Sequence, residues 1–236
     1  MSYKKPIENI LSDLITSMTF PVTIWGTSSV GSVYTLKVDD VYHAQIGLQN
    51  IVTIGGNPYT ITDITYGSGG CNSYDTLKVT DLTGANPITA TSFNMYAPFF
   101  FYGTLNETGT ELSQQSDSSL KTPMIFLRLD ETLEETFHYD QADTHERDTS
   151  CEIAFLTQGI YNTTTSELLD NGVTPMRRLM DSFISAINDA VSTFEIYSFN
   201  PRAKYYTKVY VRDSKKQLWS DQLSGVWDKF QLKILK

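Results

Sequence analysis

Between residues 22 and 97 the chain repeats short segments in which apolar and polar residues alternate, and this pattern constrains the fold most. The segments are rich in Val, Ile, Thr and Tyr, and Gly, Asn, Asp and Pro separate them. Alternation with a period of two puts every second side chain on one face of a strand. Six such segments predict a compact antiparallel barrel or a small sandwich. They are VTIWG, SVYTLKV, QNIVTIGG, PYTITDITY, DTLKVTD and PITATSF.

The clearest local signal in this region is IVTIGGNPYTITDI, residues 51–64. Its two alternating halves flank Gly-Gly-Asn-Pro, a run of residues that favours a turn. The pattern predicts two strands joined by a four-residue turn. The expected core residues are Val52, Ile54, Tyr59, Ile61 and Ile64.

The N-terminal segment, residues 6–18, has helical rather than strand periodicity. Pro6 suits the first turn of a helix, and Pro21 prevents its continuation. The spacing predicts an amphipathic helix that packs on a domain core. Its apolar stripe consists of Ile7, Ile10, Leu11, Leu14, Ile15 and Met18.

The second half of the chain alternates strand and helix patterns. Residues 123–129, 151–158, 194–199, 204–213 and 227–235 read as strands. A long helix is expected after Thr174, a candidate N-cap, with Pro175 in its first turn. Its apolar stripe is Met176, Leu179, Met180, Phe183, Ile184, Ile187 and Val191.

These patterns predict an α+β fold in four parts. Residues 1–19 form the N-terminal helix, and residues 20–98 form the β-rich, barrel-like domain. Residues 99–122 are a transition and polar linker. Residues 123–236 form a two-layer α/β domain, with a mixed or antiparallel sheet, one main helix and a long hairpin arm.

Charge is distributed very unevenly along the chain. Residues 1–100 carry a net charge of −3, residues 101–200 carry −12, and residues 201–236 carry +6. Two solvated surfaces with different charge would explain this distribution. A second interpretation is that acidic and basic faces of neighbouring copies meet head to tail.

Composition excludes several classes of protein. A net charge of −9 argues against a nucleic-acid binder that neutralises many phosphates. No run of 18 apolar residues occurs, so a membrane span is not expected. The first 18 residues do not have the pattern of a signal peptide. Cys71 and Cys151 are too few for a disulfide framework and indicate free thiols in a reducing cytosol.

Common catalytic and metal-binding motifs are absent from the sequence. Residues 67–71 lack the Lys-Ser/Thr of a P-loop, and residues 26–31 lack the spacing of a nucleophile elbow. There is no Cys-x-x-Cys pair, and no His-Glu-x-x-His motif. We therefore predict a protein that is not an enzyme, with no catalytic residue, no cofactor and no metal.

The strongest candidate for chemistry is FHYDQADTHERD, residues 137–148. His138, Asp140 and His145 are possible ligands of a divalent metal. Their spacing matches no helical face, and on a strand His145 falls on the side opposite the other two. The flanking residues favour two paired strands, so the segment is interpreted as the tip of an acidic hairpin arm. A metal-dependent enzyme is the less favoured alternative.

The C-terminal strands are basic and contain several tyrosines. Such strands bind single-stranded nucleic acid in some proteins, but pairing with the acidic face of a neighbouring copy is favoured here. The candidate subunit-interface residues are Glu134, Glu135, His138, Asp140, Asp143, His145, Arg147, Lys204, Lys208 and Arg212.

The order of elements in residues 120–236 resembles tail-terminator and neck proteins of tailed phages. The resemblance lies in PMIFLRL, the polar arm, CEIAFLTQGIY, the helix from Met176 to Val191, and a hairpin ending in LSGVWDKFQLKIL. No diagnostic motif carries it. The β-rich segment departs from compact members of that family and resembles an added domain, as in the neck rings of crAss-like podophages.

This resemblance implies a virion component assembled in the host bacterial cytoplasm. It would form a homo-oligomeric ring of six or twelve copies that connects head to tail, beside portal, neck or tail-tube proteins. DNA would pass through the ring without sequence-specific binding, and no membrane is involved. The alternative is a β module of a phage tail that binds a glycan or host surface, with Trp25, Tyr34 and Tyr66 as candidate stacking residues.

Overall fold

The chain divides into two compact units. The computed structural model describes residues 5–39, 51–65, 74–83, 87–95, 98–104, 123–129, 133–139, 145–158, 173–190, 194–204 and 223–234. Thr19–Ala97 form one unit, called the barrel unit below. Met1–Met18 and Pro98–Lys236 form the other, called the helix–sheet unit. The N-terminal helix therefore belongs to the same unit as the second half of the chain.

The barrel unit is one six-stranded antiparallel sheet. Its strands are β1 (Phe20–Val30), β2 (Val33–Val38), β3 (Ile51–Ile54), β4 (Asn57–Thr65), β5 (Asp75–Asp81) and β6 (Ser92–Met95). They lie in the order β3-β4-β5-β2-β1-β6. The terminal strands β3 and β6 contact each other, so the sheet nearly closes into a barrel.

The turn between β3 and β4 is shorter than the four residues expected from the sequence. Ile54 pairs with Asn57, so only Gly55 and Gly56 form the turn, and Pro58 already lies in β4. Both glycines have positive φ, +59° and +86°. Two successive positive φ angles suit a two-residue turn whose twist matches the flanking strands.

Core residues of the barrel unit follow the predicted alternation closely. Val52, Ile54, Tyr59 and Ile61 are buried, as expected, whereas Ile64 is only half-buried. The register of β4 and β5 shifts between Ile61 and Asp63, and Ile64 then pairs with Leu77. Such an extra residue in a strand changes which of the following positions face the core.

In the described residues, the helix–sheet unit combines two helices with a six-stranded mixed sheet. Its elements are α1 (Ile7–Ser17), β7 (Phe99–Gly103), β8 (Met124–Arg128), β9 (Glu134–Tyr139), β10 (His145–Gln158), α2 (Thr174–Asp189), β11 (Phe194–Lys204) and β12 (Leu223–Ile234). The main order is β11-β12-β10-β8-β7, and β9 also pairs with β10.

Strand β7 was not predicted as a strand. It is the edge strand of the sheet and pairs parallel with β8, which makes the sheet mixed. Its four aromatic residues stack along both faces: Phe99 with Phe101, and Phe100 with Tyr102. A strand that is apolar on both faces has no period of two, so alternation does not identify it.

Helix α2 covers the sheet through the predicted stripe. Phe183 contacts Phe155 of β10 and Phe230 of β12, with ring centroids 5.5 and 5.8 Å apart. The helix begins one residue earlier than predicted: Val173 occupies the N-cap position, and Thr174 is already helical. Helix α1 contacts α2 and β7, with Ile7, Ile10, Leu11 and Ile15 buried.

The α+β class, the N-terminal helix, the antiparallel near-barrel and the mixed sheet with a main helix are therefore confirmed. Within β12, Phe230, Leu232 and Ile234 are buried as expected. Most of the predicted linker and of the strand at 204–213 lies outside the described residues. No helix of the described residues is long and apolar enough to cross a membrane.

Candidate functional site

The most unusual strand of the helix–sheet unit is β10, because three strands pair with it. Along one edge, residues 147–158 pair with β12. Along the other edge, residues 145–150 pair with β9 and residues 152–156 pair with β8. The predicted hairpin of β9 and β10 is therefore present, and β12 flanks the base of the hairpin. Only its distal end extends past the last β12 pair, Arg147 with Ile234.

Arg147 does not lie on the surface of this hairpin, although its sequence context suggested a subunit contact. Only 2% of the residue is exposed. Its Nη1 donates a hydrogen bond to the carbonyl oxygen of Lys5 over 3.1 Å. The same nitrogen lies 3.5 Å from Glu135 Oε1. Arg147 therefore joins the residues before α1 to the base of the hairpin within one chain, and we exclude it from the surface proposed for contact.

The acidic residues of β9 are at the surface. Glu134 and Glu135 are both exposed, and no Lys or Arg occurs between residues 133 and 139. Among the described strands, β9 pairs with β10 alone. It is therefore an edge strand that carries negative charge.

The two histidines of the hairpin are not partners in the ladder: His138 pairs with Glu146, and His145 pairs with Tyr139. Asp140 and Asp143, the other candidate ligands or contacts, lie outside the described residues.

No group of three or more His, Cys, Asp or Glu residues capable of holding a metal ion occurs in the part of the chain that the structure describes. Cys151, a buried free thiol in β10, is not arranged for reaction either. Burial, with smaller contributions from the carboxylates of Glu135 and Glu152, raises the pKa of the Cys151 thiol to about 12. The thiolate is the reactive form, so this thiol is inert at neutral pH.

The edge opposite β9 is β11. Two strands, β12 and β10, separate these edges, so they lie about 14 Å apart at an interstrand spacing near 4.8 Å. Lys204 is the last residue of β11, and Arg202 is two residues before it. Lys208 and Arg212 follow in the chain but lie outside the described residues. Glu195, near the start of β11, is its only acidic residue.

A cluster that the sequence did not suggest occupies the sheet where β8, β10 and β12 meet. Glu152 Oε2 accepts hydrogen bonds from Arg128 Nη1 over 3.1 Å and from Trp227 Nε1 over 3.0 Å. The guanidinium also lies over the Trp227 ring, 5.6 Å from its centroid. A carboxylate with two donors and a cation on an aromatic face make a network that aligns three strands. Its three residues lie far apart in the chain, so local spacing gave no signal for the cluster.

The candidate stacking residues of the barrel unit differ in how far they are exposed. Trp25 is exposed, whereas Tyr34 is half-buried and contacts Tyr59 edge to face, with centroids 5.9 Å apart. Tyr66 lies outside the described residues. The ring that accompanies Trp25 is Tyr74, which sequence reasoning did not single out.

Comparison with known proteins yields no assignment. No protein-family model matches the chain, and no curated protein matches it significantly.

Proposed function

We propose that the protein is a structural subunit of a tailed-phage virion, assembling with copies of itself into a neck or tail-connector ring. The observation that carries the proposal is the placement of opposite charge at opposite edges of one sheet. Glu134 is exposed on β9, whereas Glu135 beside it pairs with Arg147 of the same chain, and Arg202 and Lys204 end β11. The acidic edge of one copy is therefore complementary to the basic edge of the next copy.

A contact between different surfaces of identical subunits is head-to-tail. Such contacts generate a ring when the rotation from one copy to the next closes. Charge complementarity at such a contact determines register and partner choice. The order of elements in residues 120–236, which resembles tail-terminator and neck proteins, supports the same assignment. Portal, neck or tail-tube proteins would be the neighbours, and DNA would pass through the ring.

The test is the assembly state of the purified protein by native mass spectrometry and negative-stain electron microscopy. We expect rings that weaken as salt increases, because a Debye length near 10 Å at 0.1 M screens exposed charges. The variant Glu134→Lys should shift the distribution towards monomers. Glu134 forms no described contact with Arg147, so its replacement leaves the base of the hairpin intact.

The matched control is Asp181→Lys, which makes the same change of charge at an exposed position of α2. It should assemble as the unaltered protein does. Monomers at every protein concentration would refute the proposed function. Equal losses in the two variants would show that net charge, rather than the β9 edge, governs assembly.

A further inference from the structure

The barrel unit has two exposed aromatic rings that contact each other. Trp25 is 61% exposed and Tyr74 is 44% exposed. Their ring centroids are 5.9 Å apart, and the ring planes are inclined by 44°. The two rings therefore form one exposed aromatic surface.

The local backbone explains why Trp25 faces outward. Ile24 pairs with Val38 and Gly26 pairs with Lys37, so Trp25 is the extra residue of a β-bulge. Bulges change the direction of a side chain and are common beside functional sites. Gly26 adds no side chain next to the indole, and a Cβ there would lie 3.8 Å from Lys37 Cδ.

Two charged residues of opposite sign lie next to Trp25 in the register of β1 and β2. Asp39 follows β2, and its position is held by Thr23: the Thr23 N–H donates to Asp39 Oδ1 over 2.7 Å, and the Asp39 N–H donates to the Thr23 carbonyl over 3.1 Å. Val38 pairs with Asp75. Asp39 follows Val38 and Tyr74 precedes Asp75, so both residues lie at the same end of the paired strands β2 and β5. Lys37, which pairs with Gly26, is exposed.

The size of the aromatic surface limits what it binds. An aromatic side chain offers roughly 200 Å² of surface, so the two rings together expose about 200 Å². A stable protein interface needs about 800 Å² from each partner, with an apolar centre. The surface is therefore too small for the core of a protein interface but matches a small ligand with one apolar face.

The charges around the rings limit the ligand further. One carboxylate and one ammonium group give no net charge, which disfavours a polyanion such as a nucleic acid. They offer a hydrogen-bond acceptor and a donor to a ligand with hydroxyl groups at its rim. A sugar ring has apolar C–H faces that fit the two aromatic rings and a rim of hydroxyls that fits the carboxylate and the ammonium group.

We propose that Trp25 and Tyr74 form a binding site for a neutral carbohydrate, with Asp39 and Lys37 hydrogen-bonding its hydroxyls. The site lies entirely within the barrel unit and goes beyond the proposed ring assembly. It does not depend on contacts between copies, so either proposal can fail while the other holds.

The test is native gel electrophoresis of the full chain through gels containing dextran, xylan, galactomannan or mixed-linkage β-glucan, with alginate as an acidic comparison. At least one neutral polysaccharide should retard the protein. Trp25→Ala and Tyr74→Ala should each weaken the retardation about tenfold or more, as truncation of a central contact residue does. Asp39→Asn, which keeps an acceptor, should have a smaller effect.

The matched control is Tyr102→Ala, which removes a tyrosine of similar exposure, 52%, from the helix–sheet unit. It should not change the retardation, and circular dichroism should show that all variants fold. The proposal is overturned if none of the four neutral polysaccharides retards the protein. It is equally overturned if alginate alone does so, or if Trp25→Ala is retarded like the unaltered chain.

Discussion

Gly225 of β12 lies so close to β10 that any larger residue should separate the two strands. A Cβ built at Gly225 would lie 1.9 Å from the carbonyl oxygen of Phe155 and 3.0 Å from Leu156 Cα. A normal C···O contact is about 3.3 Å or longer, so the strands would have to move apart by about 1.4 Å. That displacement breaks the ladder hydrogen bonds beside Gly225, in the centre of the sheet.

The cost of Gly225→Ala follows from those lost bonds. Each buried backbone group left without a partner costs about 1–3 kcal/mol, and at least two groups are affected. We therefore expect the free energy of unfolding to fall by about 2–6 kcal/mol, a large part of the 5–15 kcal/mol typical of a folded protein. Urea denaturation followed by circular dichroism measures this loss.

The matched control for this substitution is Gly26→Ala, also within a strand. The nearest atoms to a Cβ at Gly26 belong to Lys37 and are 3.8 and 3.9 Å away, an ordinary contact. The free energy of unfolding of Gly26→Ala should differ from that of the unaltered protein by less than about 1 kcal/mol. If Gly225→Ala is destabilised no more than Gly26→Ala, the close approach of β12 to β10 is not the constraint inferred here.

Three further predictions concern single groups. Arg147→Ala should lower the free energy of unfolding by about 2 kcal/mol in urea denaturation, since it removes a charged hydrogen-bond donor from the Lys5 carbonyl; a change below about 0.5 kcal/mol would contradict that role. In a Cys71→Ser background, Cys151 should react with iodoacetamide at pH 8 only after denaturant is added, because its pKa is raised to about 12; rapid labelling of the folded chain would be inconsistent with its burial. The hydrogen bond from Lys78 lowers the pKa of Asp63 in the folded protein. The stabilisation of the fold by this bond is therefore complete above the pKa that Asp63 has in the unfolded chain, and it is lost as pH falls through the pKa of Asp63 in the folded chain. Lys78→Ala should raise the pKa of Asp63 in an NMR titration, and an unchanged value would exclude this cause.

The sequence predicted those elements whose pattern is local. Helix α1 and helix α2 each have an apolar stripe at helical spacing, and β12 alternates over most of its length. These periodicities depend only on which side of an element faces the core. Strand β7 was missed because Phe99–Gly103 is aromatic on both faces, and a parallel partner distant in the chain leaves no local signal.

The candidate sites depended on contacts between distant segments. Arg147 lies among acidic residues in the chain, which suggested an exposed position. In the fold, Arg147 is buried and donates a hydrogen bond to the carbonyl of Lys5, which lies 142 positions away in the chain. Core packing was the favoured role for Trp25, with stacking on a sugar as the alternative, but Trp25 is exposed, and its partner Tyr74 lies across β2. Neither the register of three strands nor the position of a bulge can be read from spacing alone.

The shared strand β10 has a mechanical consequence. Its distal end belongs to the hairpin, and the same strand continues beneath α2, where Phe155 packs against Phe183. A pull on the hairpin along the strand would load the twelve register positions with β12 together, in shear, rather than opening them one at a time. A force applied at the acidic edge would thus reach the helix-covered core through a stiff, continuous element.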